Sequence, residues 1–393
     1  MNAVDWITIS FLLALSLATA YLYFLGVFGV LGRRRRGDIG SDFHFLVLIP
    51  AHNEAEGIGR TLASVANLER VGDLEVGVIA DNCTDNTAET ALQSGATVIE
   101  RHDETHRGKG YALAYGIAQY NLDDFDGVVI IDADTIVAPN LLKAVGRSFE
   151  SGYGAVQVSN EFYIEQDTPL ARLQETANMV ENVLFYHGRA VLHLGILLRG
   201  TGMGIRADVL KAHPWDSHSV TEDVDYAVNL LIDGVKIDFT RETHVRSAAT
   251  SSYEQSYSQK ERWASGTFSL IIDKLPGLLK AGLVKGRFEL MELAGSLFIL
   301  SRPTLIFVSL IPLALSFFCS PELRTMFLIW PIVIILMLMA YILSGIFLVQ
   351  DKKASGRALL HIPTFGVWLF FVQIKAFLKR KGIDWTRTER KRP

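Results

Sequence analysis

The sequence predicts an α/β protein, a doubly wound and mostly parallel sheet flanked by transmembrane helices. Three observations carry that expectation. Apolar, strand-length runs alternate with helical stretches between residues 43 and 135. Uncharged runs of membrane length stand towards both ends of the chain. Finally, 49% of the 393 residues are hydrophobic, a high share for a water-soluble protein. The formal net charge of -4, with basic residues gathered beside the apolar runs, offers no concentrated basic face for a nucleic acid. Two distant cysteines, Cys83 and Cys319, do not make a disulfide framework and are expected to be reduced.

The first element is the uncharged run at residues 6–31. Its 26 positions, at about 1.5 Å each, exceed a hydrocarbon core of about 30 Å. The start MNAVD has no Lys or Arg, and the apolar run is long, so an uncleaved anchor is expected rather than a signal peptide. Arg33 to Arg36 follow it, and the positive-inside rule then puts the next domain in the cytoplasm. Residues 304–319 and 326–349, joined by SPELRT, read as a helical hairpin across the bilayer. A third run at 358–374 carries His361 and Pro363 and precedes a basic tail; the charge rule favours a segment entering or lying along the cytoplasmic side. The chain divides by composition into an anchor with its basic flank (1–37), a cytoplasmic domain (38–273) and a membrane region (274–393).

Within the cytoplasmic domain, FHFLVLIPAHNE reads as a buried strand ending in polar residues, and LEVGVIADNCTDNT, ATVIERHD and GVVIIDADT repeat the pattern with helices between them. In such sheets ligands bind beyond the carboxyl ends of the strands, where His52 to Glu54, Asp81 to Asp85 and Asp132 to Asp134 stand. Asp132 and Asp134, two apart on an extended chain, face the same way, and such a pair suits Mg2+ or Mn2+ shared with substrate phosphates. HRGKG at 106–110 lacks the glycine and Ser/Thr of a P-loop, which disfavours a nucleotide triphosphatase, and His102 and His106 read as surface histidines. The glycines of RGTGMGIR, 199–206, either let backbone approach a ligand or form a tight turn; Gly200, Thr201 and Gly202 are carried forward as acceptor-site candidates. In SVTEDVDYAVNLLIDG, Glu222, Asp223 and Asp225 open a helix, where carboxylates meet the positive dipole end and where one can be held as a general base. On a helix, Gln259 and Arg262 of QKERW share a face, so both can reach one diphosphate.

PAHNE, ADNCTDNT, RGKG, DAD, TED and QKERW occur in the order found in membrane-integrated family 2 glycosyltransferases, and the chain resembles the group that includes the cellulose, chitin and hyaluronan synthases. The resemblance implies a GT-A fold and an inverting sugar transfer from a nucleotide-diphosphate donor, UDP by family preference, with Mg2+ or Mn2+. It implies that Pro50, Ala51, Asn53, Glu54, Asp81 and Lys109 surround the nucleoside, with Asp132 and Asp134 at the metal diphosphate. Gln259 and Arg262 then meet the diphosphate, Asp223 the acceptor hydroxyl, and Trp263 and Glu222 the acceptor side. The expected acceptor is a polysaccharide at the cytoplasmic face of the cell membrane, with coupled export and export partners; the alternative is a non-processive transfer to a lipid. A transporter with a nucleotide-binding domain is disfavoured because the spans are uncharged. DWTRTERKR at 384–392 loosely resembles the group's gating loop and equally reads as a plain basic tail.

Overall fold

The first strand shows why the sheet is covered on both sides. In β1 (Phe45–Ala51), Phe45, Val47, Ile49 and Ala51 enter one hydrophobic core and Leu46 and Leu48 the other, the period of two that a doubly buried strand requires. The computed structural model describes residues 1–34, 37, 39–40, 42–217, 219–299 and 302–379.

Helix α1 (Ala3–Leu31) precedes the sheet, its N-terminus closed by a reciprocal cap between Asn2 and Asp5. After β1 come α2 (Ile58–Ala66), β2 (Leu74–Asp81), α3 (Thr87–Gln93), β3 (Thr97–Arg101), α4 (Lys109–Ile117) and β4 (Gly127–Ile130). The four strands pair in parallel in the order β3-β2-β1-β4, the right-handed doubly wound half expected from the sequence. The second half is mixed. It comprises β5 (Ile136–Val137), α5 (Leu141–Glu150), β6 (Ala155–Tyr163), α6 (Pro169–Val180), a π-helical stretch (Glu181–His187), α7 (Gly188–Val191), β7 (Met203–Arg206), α8 (Ala207–Ala212), α9 (Glu222–Ile232) and β8 (Ile237–Ala248). Here β7 runs antiparallel to both β4 and β6, β8 is parallel to β6, and β5 pairs antiparallel at the edge.

The chain then forms α10 (Tyr253–Val284), α11 (Phe288–Leu297), α12 (Arg302–Leu315), α13 (Pro321–Leu343), α14 (Lys352–Ala358) and α15 (Ile362–Lys379). Three helical stretches, Ala3–Leu31, Pro321–Phe347 and Lys352–Leu378, are long and apolar enough to cross a membrane, and Thr304–Phe318 is a shorter apolar helix. The run at 358–374 therefore lies inside one long helical stretch. It rests on α10 and α12 through Trp368 on Tyr253, Phe377 on Phe268 and Phe370 on Phe307, with ring centroids 4.9–5.4 Å apart. Residues 380–393, with the loose gating-loop match, lie outside the described residues, as do Arg35 and Arg36. Arg34 is not simply a topology charge: it pairs with Asp238 and donates to the Phe239 carbonyl at 3.1 Å and to Tyr153 at 2.9 Å, tying the end of α1 to β8.

One core joins the sheet to the membrane-length helices, from Leu48 and Ile130 through Tyr226 and Leu293 to Leu22, Phe327 and Leu338. Backbones touch where α1 passes the π-helical stretch and the start of α7. A Cβ on Gly29 would stand 2.3 Å from the Val183 carbonyl oxygen, and one on Gly188 would stand 2.2 Å from that of Leu25. The compositional boundary at residue 273 falls inside α10. Cys83 and Cys319 are both free thiols.

Candidate active site

The parallel register brings three strand ends to one edge. Ala51 pairs with Ala80 and Leu48 with Ile130, so the segments that follow β1, β2 and β4 open into the same cleft. The loops after β1 and β2 clasp each other: His52 Nδ1 donates to the Asp81 carbonyl at 2.7 Å, Thr84 N–H to Asn53 Oδ1 at 2.7 Å, and Glu54 N–H to Thr87 Oγ1 at 2.8 Å. Asn53, at φ 55, serves this clasp and does not line the cleft, whereas Pro50, Ala51, Glu54 and Asp81 do.

Asp81 is buried and receives Arg101 Nη1 at 2.6 Å. The same guanidinium donates to Asp103 at 3.0 Å and to the His106 carbonyl at 2.8 Å, folding the HRGKG loop onto the end of β2. Sequence reading passed over Arg101; the signal for it is the β2–β3 register, which sets Arg101 directly opposite Asp81. His102 and His106 are exposed, as expected, and His106 leans on Asp103 at 3.0 Å.

Lys109, the first residue of α4, pairs with Asp132 and donates to the Gly200 carbonyl at 2.5 Å. The strand stops at Ile130, so Asp132 and Asp134 sit on the turn beyond it, and both line the cleft. Asp132 N–H donates to Thr201 Oγ1 at 3.0 Å. Gly200 and Gly202 have φ of +78 and +67, a backbone region that favours glycine. They differ in role. A Cβ on Gly200 would lie 3.4 Å from Asp223 Oδ2 and 3.7 Å from Lys109 Nζ, so Gly200 gives these two side chains room. One on Gly202 would lie 2.6 Å from Val158 Cγ2, so Gly202 faces the sheet core and does not line the cleft.

Glu222 and Asp223 begin α9 at the same cleft, and Asp223 Oδ1 accepts the Val224 N–H at 2.8 Å. Asp225 does not line it; it pairs with Lys274 at 2.6 Å. From α10, Gln259, Lys260, Arg262 and Trp263 all line the cleft. The two helices meet at Gly266, where a Cβ would stand 2.2 Å from Thr221 Cγ2. Burial pushes the Glu222 carboxyl up, and repulsion from Asp223 adds to this against the pull of Lys109; burial likewise raises Asp223. Burial pulls Lys109 down, but Asp132, Glu222 and Asp223 outweigh it and hold the ammonium above its ordinary value. Burial draws the Arg262 guanidinium down, with Glu222, Asp132 and Asp223 opposing.

Carboxylates thus crowd one cleft to the point of resisting ionisation, which is an environment that accepts a divalent cation. Among the described residues no cluster of three or more His, Cys, Asp or Glu forms a closed cage. Asp132 and Asp134 instead fit a cation whose remaining ligands come from phosphate and water.

The cleft is one end of a cavity of about 830 Å3. Its other end is bounded by Ile306 and Phe307 of α12, Met339 and Ile342 of α13, and Phe365 and Leu369 of α15.

Residues 43–266, more than half of the chain, match the family described as "Glycosyltransferase like family 2". Among curated proteins, the beta-monoglucosyldiacylglycerol synthase of Nostoc sp. is 28% identical over 289 residues, covering 71% of this chain and 60% of that protein. The probable glycosyltransferase YdaM of Bacillus subtilis is 26% identical, covering 60% and 57%. The chain therefore matches somewhat under two thirds of the length of these relatives. Among solved structures, the mannosyltransferase PcManGT of Pyrobaculum calidifontis, in complex with GDP-Man and Mn2+, is similar over 96% of this chain and 100% of its own, with a TM-score of 0.57 and 16% identity, a likeness of fold. The GT-A-like sheet, the ordered motifs at its carboxyl edge and the match over residues 43–266 make one identification: the chain belongs to the glycosyltransferase-like family 2.

Proposed function

We propose that this enzyme moves a sugar from a nucleotide-diphosphate donor, a UDP-sugar, to a lipid acceptor at the cytoplasmic face of the cell membrane, inverting the anomeric carbon. The observation that carries this reading is one cavity lined both by the family motifs and by apolar side chains of α12, α13 and α15. A glycolipid synthase among the relatives supports it, and the GDP-Man complex of PcManGT supports a nucleotide-sugar donor. A polysaccharide acceptor with coupled export calls for a polar passage, and the apolar lining favours lipid instead.

In this reading Asp223 takes the acceptor hydroxyl proton as that oxygen attacks the anomeric carbon from the face opposite the diphosphate. The new bond forms to the acceptor oxygen, the bond to the diphosphate oxygen breaks, and its electron pair stays on the leaving group. Arg262 supplies a planar fork to that developing charge, and Gln259 shares its helix face. Asp132 and Asp134 would hold Mg2+ or Mn2+, which when bound offsets diphosphate charge. Lys109 keeps Asp132 oriented, and Trp263 offers a ring face to a sugar.

Membranes containing the protein, incubated with radiolabelled UDP- and GDP-sugars with and without EDTA, test it. An organic-soluble product carrying one sugar, lost on chelation, is expected. A long polymer would replace the lipid acceptor with a polysaccharide, and full turnover in EDTA would remove the metal.

A further inference from the structure

Among the residues lining the cavity is a charged cluster that the transfer chemistry does not use. Glu181, the first residue of the π-helical stretch, faces Arg199 at 3.5 Å and Arg302 at 3.8 Å, and Lys260 acts on it as a third cation. All four line the cavity. Three cations meet one partly buried carboxylate, an excess of positive charge along the cavity wall.

Arg302 is the most deeply buried of them. It stands at the first position of α12, where the apolar helix begins, and its side chain is 8% exposed. Its Nε and Nη2 are buried without a hydrogen-bond acceptor in place among the described residues, and the Tyr341 hydroxyl is the polar group that adjoins it. Its remaining contact is the face of Phe185, 4.8 Å from the guanidinium carbon. Lys260 lies 4.7 Å over the Trp263 ring, and burial brings its ammonium down to about 8 against the pull of Glu181. Arg199, by contrast, is anchored, donating to Asn182 Oδ1 at 2.6 Å. Two loosely held cations on different helices, α10 and α12, therefore line the same cavity.

Guanidinium N–H groups without acceptors beside an ammonium suit a tetrahedral oxyanion, and the apolar walls just beyond suit acyl chains. We propose that Arg302, Lys260 and Arg199 bind the phosphate-class headgroup of an anionic membrane lipid whose chains lie between α12, α13 and α15. The site rests on the reading of the cavity as a lipid path, and it narrows the lipid class to one with a negatively charged head. Glu181 keeps the cations apart while the site is empty of anion and limits it to a single headgroup.

The test uses the full chain in dodecyl maltoside micelles without any sugar donor, so that binding is read separately from transfer. The probes are dihexanoyl phosphatidic acid, dihexanoyl glycerol and inorganic phosphate, titrated calorimetrically. Phosphatidic acid should bind at least about tenfold more tightly than the glycerol with the same chains, and than inorganic phosphate. Arg302→Gln and Lys260→Gln should each weaken phosphatidic acid by about tenfold and leave dihexanoyl glycerol unchanged. Equal affinity for the two lipids overturns the headgroup site. Inorganic phosphate binding as tightly as phosphatidic acid overturns the lipid source. Should Arg302→Gln fail to give a cooperative melt, Lys260→Gln decides, and normal phosphatidic acid binding by a folded Lys260→Gln protein overturns the proposal. Sugar transfer measured in the same preparation reports on the catalytic reading alone: lipid binding that persists without transfer rejects that reading and leaves this site standing.

Discussion

Replacing Asp223 by Asn isolates proton removal from everything else at the cleft. The Asp223 Oδ1 that accepts the Val224 N–H at 2.8 Å has an equivalent in the Asn carbonyl, so the start of α9 keeps its bond. Lys109 keeps Asp132 and the Gly200 carbonyl as partners, so the donor side of the cleft stays organised. What disappears is a carboxylate beside Gly200 able to take a proton. A positioned general base contributes about 10²- to 10⁴-fold, which at about 1.36 kcal/mol per tenfold is about 2.7–5.4 kcal/mol of barrier. Donor affinity should hold within a few-fold while turnover falls by about a hundredfold or more. Calorimetric titration of the purified chain with a nucleotide sugar reads the first, and radiolabel transfer in vesicles the second. Turnover within about threefold of the parent would refute the assignment, since that is under about 0.7 kcal/mol. The base would then be Glu222, which lines the same cleft, rather than Asp225, whose carboxylate pairs with Lys274 outside it.

Arg262→Ala should behave differently, lowering donor affinity about tenfold and turnover about a hundredfold in the same two assays, because its contact strengthens as the leaving group gains charge. Unchanged affinity would place the diphosphate away from α10. In the pH profile of kcat/KM, activity needs Asp223 as carboxylate, and both Asp223 and Glu222 hold their protons to higher pH than free carboxylates. The rate should therefore rise as pH climbs through their shared titration and be lost below it; Glu222→Gln, which removes one of the repelling charges, should move that rise to lower pH. A profile that stays in place would show that the two carboxyls do not sense each other. Gly266→Ala puts a Cβ 2.2 Å from Thr221 Cγ2, a stiff β-branched neighbour, and should cost about 1–3 kcal/mol of stability by thermal melt. It should also displace Arg262 from Asp223 and depress transfer beyond the loss of folded protein; full activity would mean that α9 and α10 slide freely.

The parallel half of the sheet was legible because its strands are continuous apolar runs that end in polar clusters, as in Phe45–Ala51 and Gly127–Ile130. The mixed half was harder to read. In β6 and β8 the buried positions include Gln157, Ser159, Asp238 and Thr240, so the apolar signal is broken; Gln157 is satisfied by the Val158 and Thr201 carbonyls, a partner 44 residues away. The cleft itself was largely legible, since motifs at strand ends converge wherever the strands are parallel. Asn53 and Gly202 are the exceptions. Each sits inside a motif yet faces its own loop or core, because positive-φ positions serve backbone path as readily as ligand approach. Arg101 and the Glu181 cluster went unseen because their partners come from distant segments: Arg302 lies more than a hundred residues from Glu181.

The backbone contact of α1 with the π-helical stretch and the start of α7, with Gly29 against Val183 and Gly188 against Leu25, bears on how such an enzyme can be re-engineered. The anchor is not an interchangeable handle. Leu12, Leu22 and Leu25 complete the same core as Phe185, Tyr226 and Phe239, so trimming the ends to obtain a water-soluble catalyst would strip one wall from that core. Exchanging the first helix between relatives would likewise require the facing surface to be exchanged with it, which makes anchor and catalyst a single heritable unit.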